Sequence, residues 1–151
     1  MTETIESLQA VPRKSAPRWA LAALGVGVAI VFLAPSGTSS PPEGWGDDPQ
    51  AAFDEAAGTS RRVVLGFYLP GCPPCAAMEH EVLPAKAVRT ALDGFVPVLV
   101  NAITHPEFAE RYQVEVTPTY IITDAQGNQL ARSVGYQSVD EFVAFVRNVS
   151  K

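Results

Sequence analysis

Two prolines stand between the only two cysteines of this chain, in the run Cys72-Pro73-Pro74-Cys75. Proline fixes φ at about −65° and has no N–H, which suits the first turn of a helix and little else in regular structure. Just upstream, RRVVLGFYL (Arg61 to Leu69) is short, apolar and rich in β-branched and aromatic residues, the pattern of a buried strand. The chain is therefore held to a strand, a turn and a helix that opens on Cys-x-x-Cys, and that setting is a strong redox signal. Three uses of the pair compete: a redox dithiol, half of a metal site, or a structural staple. A bridge across so short a loop removes little entropy from the unfolded chain, so stability is a poor reason for it.

At a helix start, unpaired backbone N–H groups and the helix dipole favour an anion, which raises the thiolate fraction of Cys72. Cys75, one turn inward, is expected to be less exposed and placed to resolve a mixed disulfide. Cys72 is thus the expected nucleophile and Cys75 the resolving thiol. Pro73 and Pro74 offer no N–H to the Cys72 sulfur, and Ala76 puts no cation beside the pair. Both features disfavour a very stable thiolate and point to a reductant or mild exchanger rather than a strong oxidant.

The 151 residues leave room for one ordinary domain and a short extra segment. Hydrophobic residues make up 47% and charged residues 18%, enough for a packed core. Net charge is −5, with no lysine–arginine cluster in the C-terminal two-thirds, which argues against nucleic acid as a partner because phosphate needs a basic face.

Residues 1–18 are polar and carry Arg13, Lys14 and Arg18 just before the apolar run WALAALGVGVAIVFLA, residues 19–34. A hydrocarbon core takes roughly 20 apolar residues, a length the run reaches with its uncharged flank. The basic flank puts the leading end in the cytoplasm and sends the rest across. Residues 1–18 are read as a cytoplasmic tail, 19–34 as a transmembrane anchor or a cleaved signal segment, and 35–47 as a linker rich in Pro, Gly and Ser. Either reading of 19–34 exports the domain over 48–151. The expected location is a bacterial inner membrane, single-pass, with the C-terminal domain in the periplasm or outside the cell.

Within the domain, Asp48 and Pro49 open a helix that ends near Gly58. The strand and the Cys-Pro-Pro-Cys helix follow, the latter running to about Leu83, and Pro84 starts a further helical piece. Phe95 to Ile103 is a strand, HPEFAERYQV a short helix, TPTYIITD a strand, AQGN a turn and QLARSV a strand. The last helix opens on a capping box, Ser138 and Glu141, with Phe142, Val143, Phe145 and Val146 on its apolar side. The closing hairpin makes the sheet mixed. Phe67, Tyr68, Phe95, Phe108, Tyr112, Tyr120, Phe142 and Phe145 read as core. Trp45 lies in the linker, where it either packs onto the domain or rests at the membrane surface. Arg61 and Arg62 read as a solvated edge.

VVLGFY before the cysteines, C-x-x-C-x-x-M-E from Cys72 to Glu79, and VTPTYIITDAQG farther on resemble the thioredoxin superfamily, and within it the exchange domains of the DsbD C-terminal type. The resemblance covers about Asp48 to Val149 and implies a thioredoxin fold, a mixed central sheet flanked by helices. It also implies a cis peptide bond before Pro118, with Thr117 and Pro118 facing the sulfurs and binding an extended substrate. Three departures stand out. Gly66 occupies the place of a buried aspartate common in the family, Gly71 that of a tryptophan, and Ala76 that of a lysine. Glu79, four residues after Cys75 and on the same helical face, is the candidate to move the proton of Cys75 in the aspartate's stead.

The implied activity is thiol–disulfide exchange with exported protein thiols or disulfides, renewed by a membrane electron donor if the protein acts as a reductant. No cofactor and no metal are expected for it. The competing reading is a copper-binding assembly factor or metallochaperone on the same fold, since thiolates select Cu(I) and His80 and His105 are at hand. Leu69, Gly71 and Tyr136 are candidates for the rim of a peptide groove.

Overall fold

The computed structural model describes residues 40–149. The expected tail and anchor, residues 1–34, lie outside them. Among the described residues no helix is long and apolar enough to cross a membrane.

Helix α1 (Pro49–Thr59) starts where Asp48 Oδ1 accepts the amides of Gln50 and Ala51 at 2.9 and 3.1 Å. It stops at Ser60, whose left-handed φ of 55° no helix can continue. Strand β1 (Arg62–Tyr68) leads to α2 (Pro73–Ala77), then α3 (Lys86–Ala91), β2 (Phe95–Asn101), α4 (Pro106–Arg111), β3 (Thr119–Thr123), β4 (Gln129–Val134) and α5 (Val139–Val149). The sheet order is β2-β1-β3-β4. β1 pairs parallel with β2 and antiparallel with β3, and β3 pairs antiparallel with β4, so the sheet is mixed as the hairpin requires.

Alternation along β1 divides the interior in two. Val63, Leu65 and Phe67 face a core closed by α1 and Tyr112, while Val64 faces one closed by Met78, Val82 and Phe142. Helix α5 is fastened by the expected capping box: Glu141 Oε2 accepts the Ser138 amide at 2.8 Å, and Ser138 Oγ accepts the Glu141 amide at 3.4 Å. Of the aromatics read as core, Phe67, Phe95, Tyr112, Tyr120 and Phe142 are buried, and Tyr68, Phe108 and Phe145 half-buried.

Three local features differ from the expected pattern. The helix after the cysteines is not regular to its end: α2 widens into a π-helical turn over Met78–Val82, where the Leu83 amide reaches back five residues to the Met78 carbonyl at 2.9 Å. Pro84 follows at once and has no N–H to continue an α-helical ladder. Arg61 is no free edge residue, because its guanidinium donates to the Phe95 carbonyl and pairs with Glu55.

The third difference concerns the residues read as linker. Trp45 packs onto the domain with only 6% of its surface exposed. Gly46 next to it donates to Pro97 O at 3.0 Å and accepts from the Leu99 amide at 2.9 Å, a one-residue parallel bridge along the outer side of β2.

Candidate active site

The end of β1 delivers the chain into a tight turn. The Cys72 amide donates to Leu69 O at 3.3 Å, and Gly71 takes φ +77°, a conformation that favours glycine. Cys72 then caps α2, with Pro73 at its first position and the Ala76 amide closing onto Cys72 O at 3.1 Å. Both sulfurs are joined as a disulfide, with the Cα atoms 5.3 Å apart. Cys72 is half-buried and Cys75 is 2% exposed, so a partner arriving from solvent reaches Cys72 first.

Thr117 and Pro118 arrive from 45 residues downstream. Their peptide bond is cis, Thr117 Oγ1 donates toward Cys72 Sγ at 3.6 Å, and the Thr117 carbonyl oxygen lies 3.8 Å from the same sulfur. The loop after β4 is tied to this turn, since the Gly135 amide donates to Pro118 O at 2.8 Å. On the other side the Ala102 amide donates to Tyr68 O at 3.1 Å, holding the end of β2 beside the turn that leads to Cys72. These connections gather Leu69, Val116 and Tyr136, 38%, 57% and 50% exposed, at the end of the sheet that carries the disulfide.

Glu79 sits half-buried in the π-helical turn below Cys75. Burial holds its carboxyl above the usual range, against a smaller opposing pull from His80. Two phenols feel its charge. Burial first, and Glu79 second, raise the hydroxyls of Tyr120 and Tyr68 above their ordinary value, with Asn101 drawing Tyr68 partly back. Sequence reasoning placed Glu79 by its spacing but read both tyrosines as core and nothing more.

Gly66 is more than a missing aspartate. A Cβ there would lie 2.9 Å from Tyr120 Cε1, 3.0 Å from Leu99 Cδ2 and 3.3 Å from Trp45 Cζ3. The space a side chain would need is taken, in part by a tryptophan from the residues read as linker. No signal in the sequence connects Trp45 with Gly66, which lie twenty-one positions apart.

His80 is exposed, and His105 leads into α4 with its ring 3.5 Å from the Glu107 carboxylate. Among the described residues no three His, Cys, Asp or Glu side chains gather to hold a metal ion.

Known proteins resemble this chain in sequence and in fold. It is 32% identical over 108 residues to the thiol:disulfide interchange protein DsbD of Cronobacter sakazakii, a stretch that is 68% of this chain but 18% of that much longer relative. The DsbD of Ralstonia nicotianae is 33% identical over 101 residues, which is 64% of this chain and 17% of that one. Among solved structures, a thioredoxin from Thermus thermophilus superposes with a TM-score of 0.61 at 28% identity, covering 70% of this chain and 85% of that one. The oxidised C-terminal domain of Neisseria meningitidis DsbD shares the fold, with a TM-score of 0.58 at 21% identity over 70% of this chain and 98% of that domain. The family model described as a thioredoxin-like domain matches residues 49–150. That match takes in both cysteines, Glu79 and the Thr117–Pro118 turn, and the chain belongs to the family of thioredoxin-like domains.

Proposed function

We propose that this protein is an extracytoplasmic thiol–disulfide oxidoreductase, anchored by residues 19–34, that reduces or exchanges disulfides of exported proteins. One observation carries the reading: a half-exposed Cys72 is bonded to a buried Cys75 and touched by the threonine of a cis-proline turn. Family membership and similarity to DsbD support thiol–disulfide oxidoreductase chemistry, and the basic flank of the apolar run supports export.

In the reducing direction the cycle starts from the dithiol. The Cys72 thiolate attacks one sulfur of the substrate disulfide, and the other substrate sulfur leaves as a thiolate. Glu79 accepts the proton of Cys75. The Cys75 thiolate then attacks Cys72 Sγ, closes the Cys72–Cys75 disulfide and expels the second substrate thiolate. Two electrons have passed to the substrate, and a dithiol electron donor in the membrane returns two to the protein. Thr117 Oγ1 steadies the Cys72 sulfur, while the backbone at Thr117–Pro118 receives the substrate chain.

Two measurements test this. Cys75→Ser blocks resolution and is expected to accumulate a mixed disulfide between Cys72 and exported proteins, seen as dithiothreitol-sensitive adducts on gels. Glutathione equilibration of the wild-type pair is expected to give a reduction potential near that of thioredoxin, about −270 mV. A value near about −120 mV reverses the direction of electron flow, and a pair that never re-forms its disulfide ends the exchange reading.

A further inference from the structure

Met78 is completely buried one turn beyond Cys75, and its sulfur is engaged: the Gln137 amide donates to Met78 Sδ at 3.3 Å. A thioether is a weak acceptor, and an apolar side chain of similar size would fill the same space. Yet the bond falls at a junction. Gln137 lies in the short connection between β4 and α5, and Gly135, two residues earlier, donates to the carbonyl of Pro118 at 2.8 Å. Contacts therefore run in a closed ring: Cys72 to Cys75 through the disulfide, α2 to Met78, Met78 to Gln137, Gly135 to Pro118, and Thr117 back to the Cys72 sulfur. Tyr136 stands between the two anchored amides, with half its surface in solvent.

We propose that Met78 is a positioning residue whose thioether holds the Gln137 amide and so fixes Tyr136 as the wall that an extended peptide substrate meets beside the disulfide. The inference rests on the exchange activity proposed above and adds the device that selects among substrates. With a leucine at position 78 the core stays filled, but the Gln137 amide loses its acceptor. A part-buried N–H left without its acceptor seeks another partner, and the connection that carries Tyr136 shifts with it. A peptide long enough to lie against Tyr136 feels that shift, whereas bis(2-hydroxyethyl) disulfide is too small to reach from Cys72 along the loop.

The test compares the full-length reduced protein on a disulfide-bonded decapeptide and on bis(2-hydroxyethyl) disulfide, in wild type, Met78→Leu, Tyr136→Ala and the double variant. Met78→Leu is expected to lower the ratio of peptide to small-disulfide reduction rates by about threefold to tenfold. Tyr136→Ala is expected to do the same, and the double variant no more than either, because both act through one loop. Tyr136 is on the surface, so its variant keeps the test alive if Met78→Leu fails to fold. An unchanged ratio in Tyr136→Ala, losses that multiply in the double variant, or an equal fall on both substrates overturns the inference. Wild-type protein inert toward both disulfides overturns the exchange reading itself, which separates the two failures.

Discussion

A carboxyl group half out of water holds its proton more tightly than one on an open surface, and Glu79 is in that position. To take a proton from Cys75 it must first be ionised. Resolution in the wild type is therefore expected to quicken as pH rises through the raised pKa of Glu79. Glu79→Gln is expected to lose that rise and to slow resolution by about tenfold or more. The release of thionitrobenzoate from a Cys72 adduct reads this directly, and an unchanged profile would show Glu79 to be a bystander. Stability carries the same signature with a definite sign. Because the folded pKa lies above the unfolded one, the folded state holds the proton more firmly, and stability falls as pH climbs through the folded pKa. Asp124 and Glu141, both held below the usual range by hydrogen bonds, work the other way and lose their contribution on acidification. Only the difference between wild type and Glu79→Gln isolates Glu79, and the variant is expected to gain relative stability with rising pH in thermal melts. The four-residue spacing from Cys75 made Glu79 legible in the sequence. Its neighbours were not, since Tyr120 is brought to it by the pairing of β1 with β3 and by no local pattern.

At the scale of the element, β1 shows what a strand pattern tells and what it withholds. Its apolar run located the strand and its two buried faces, and the turn residues after it located the dithiol. The same run showed Gly66 only as the absence of an aspartate. In the folded chain that glycine is where Tyr120, Leu99 and Trp45 close over the strand, a contact made by residues distant in sequence. Gly66→Ala is therefore expected to destabilise the protein by about 1–3 kcal/mol through overpacking, measured by urea denaturation. A stabilising result would mean that Tyr120 and Trp45 have room to retreat. The helix beyond the cysteines was legible to its start and approximate end, and its widening at Met78–Val82 was not. Apolar periodicity in so short a stretch does not distinguish a four-residue from a five-residue repeat of hydrogen bonds.

The molecule as a whole begins its packed interior earlier than its composition announces. Pro, Gly and Ser mark residues 35–47 as linker, and that signal is blind to one large aromatic side chain finding a place in the core. Trp45 meets Tyr120 edge-on at 6.3 Å between ring centres and Phe142 at 6.5 Å, while its indole nitrogen is buried with no hydrogen-bond partner among the described residues. Trp45→Ala is expected to cost about 3 kcal/mol, and Trp45→Phe clearly less, because the ring's packing matters and its N–H does not. Equal losses in denaturation curves would contradict that division. The direction of the segment also has a bearing on how the protein works. Gly46 runs parallel to β2, and β2 runs parallel to β1, whose far end leads to Cys72. The described chain therefore enters along the start of β2, while the cysteines follow the opposite end of β1, so that the entry of the polypeptide and the reactive bond lie at opposite ends of the sheet.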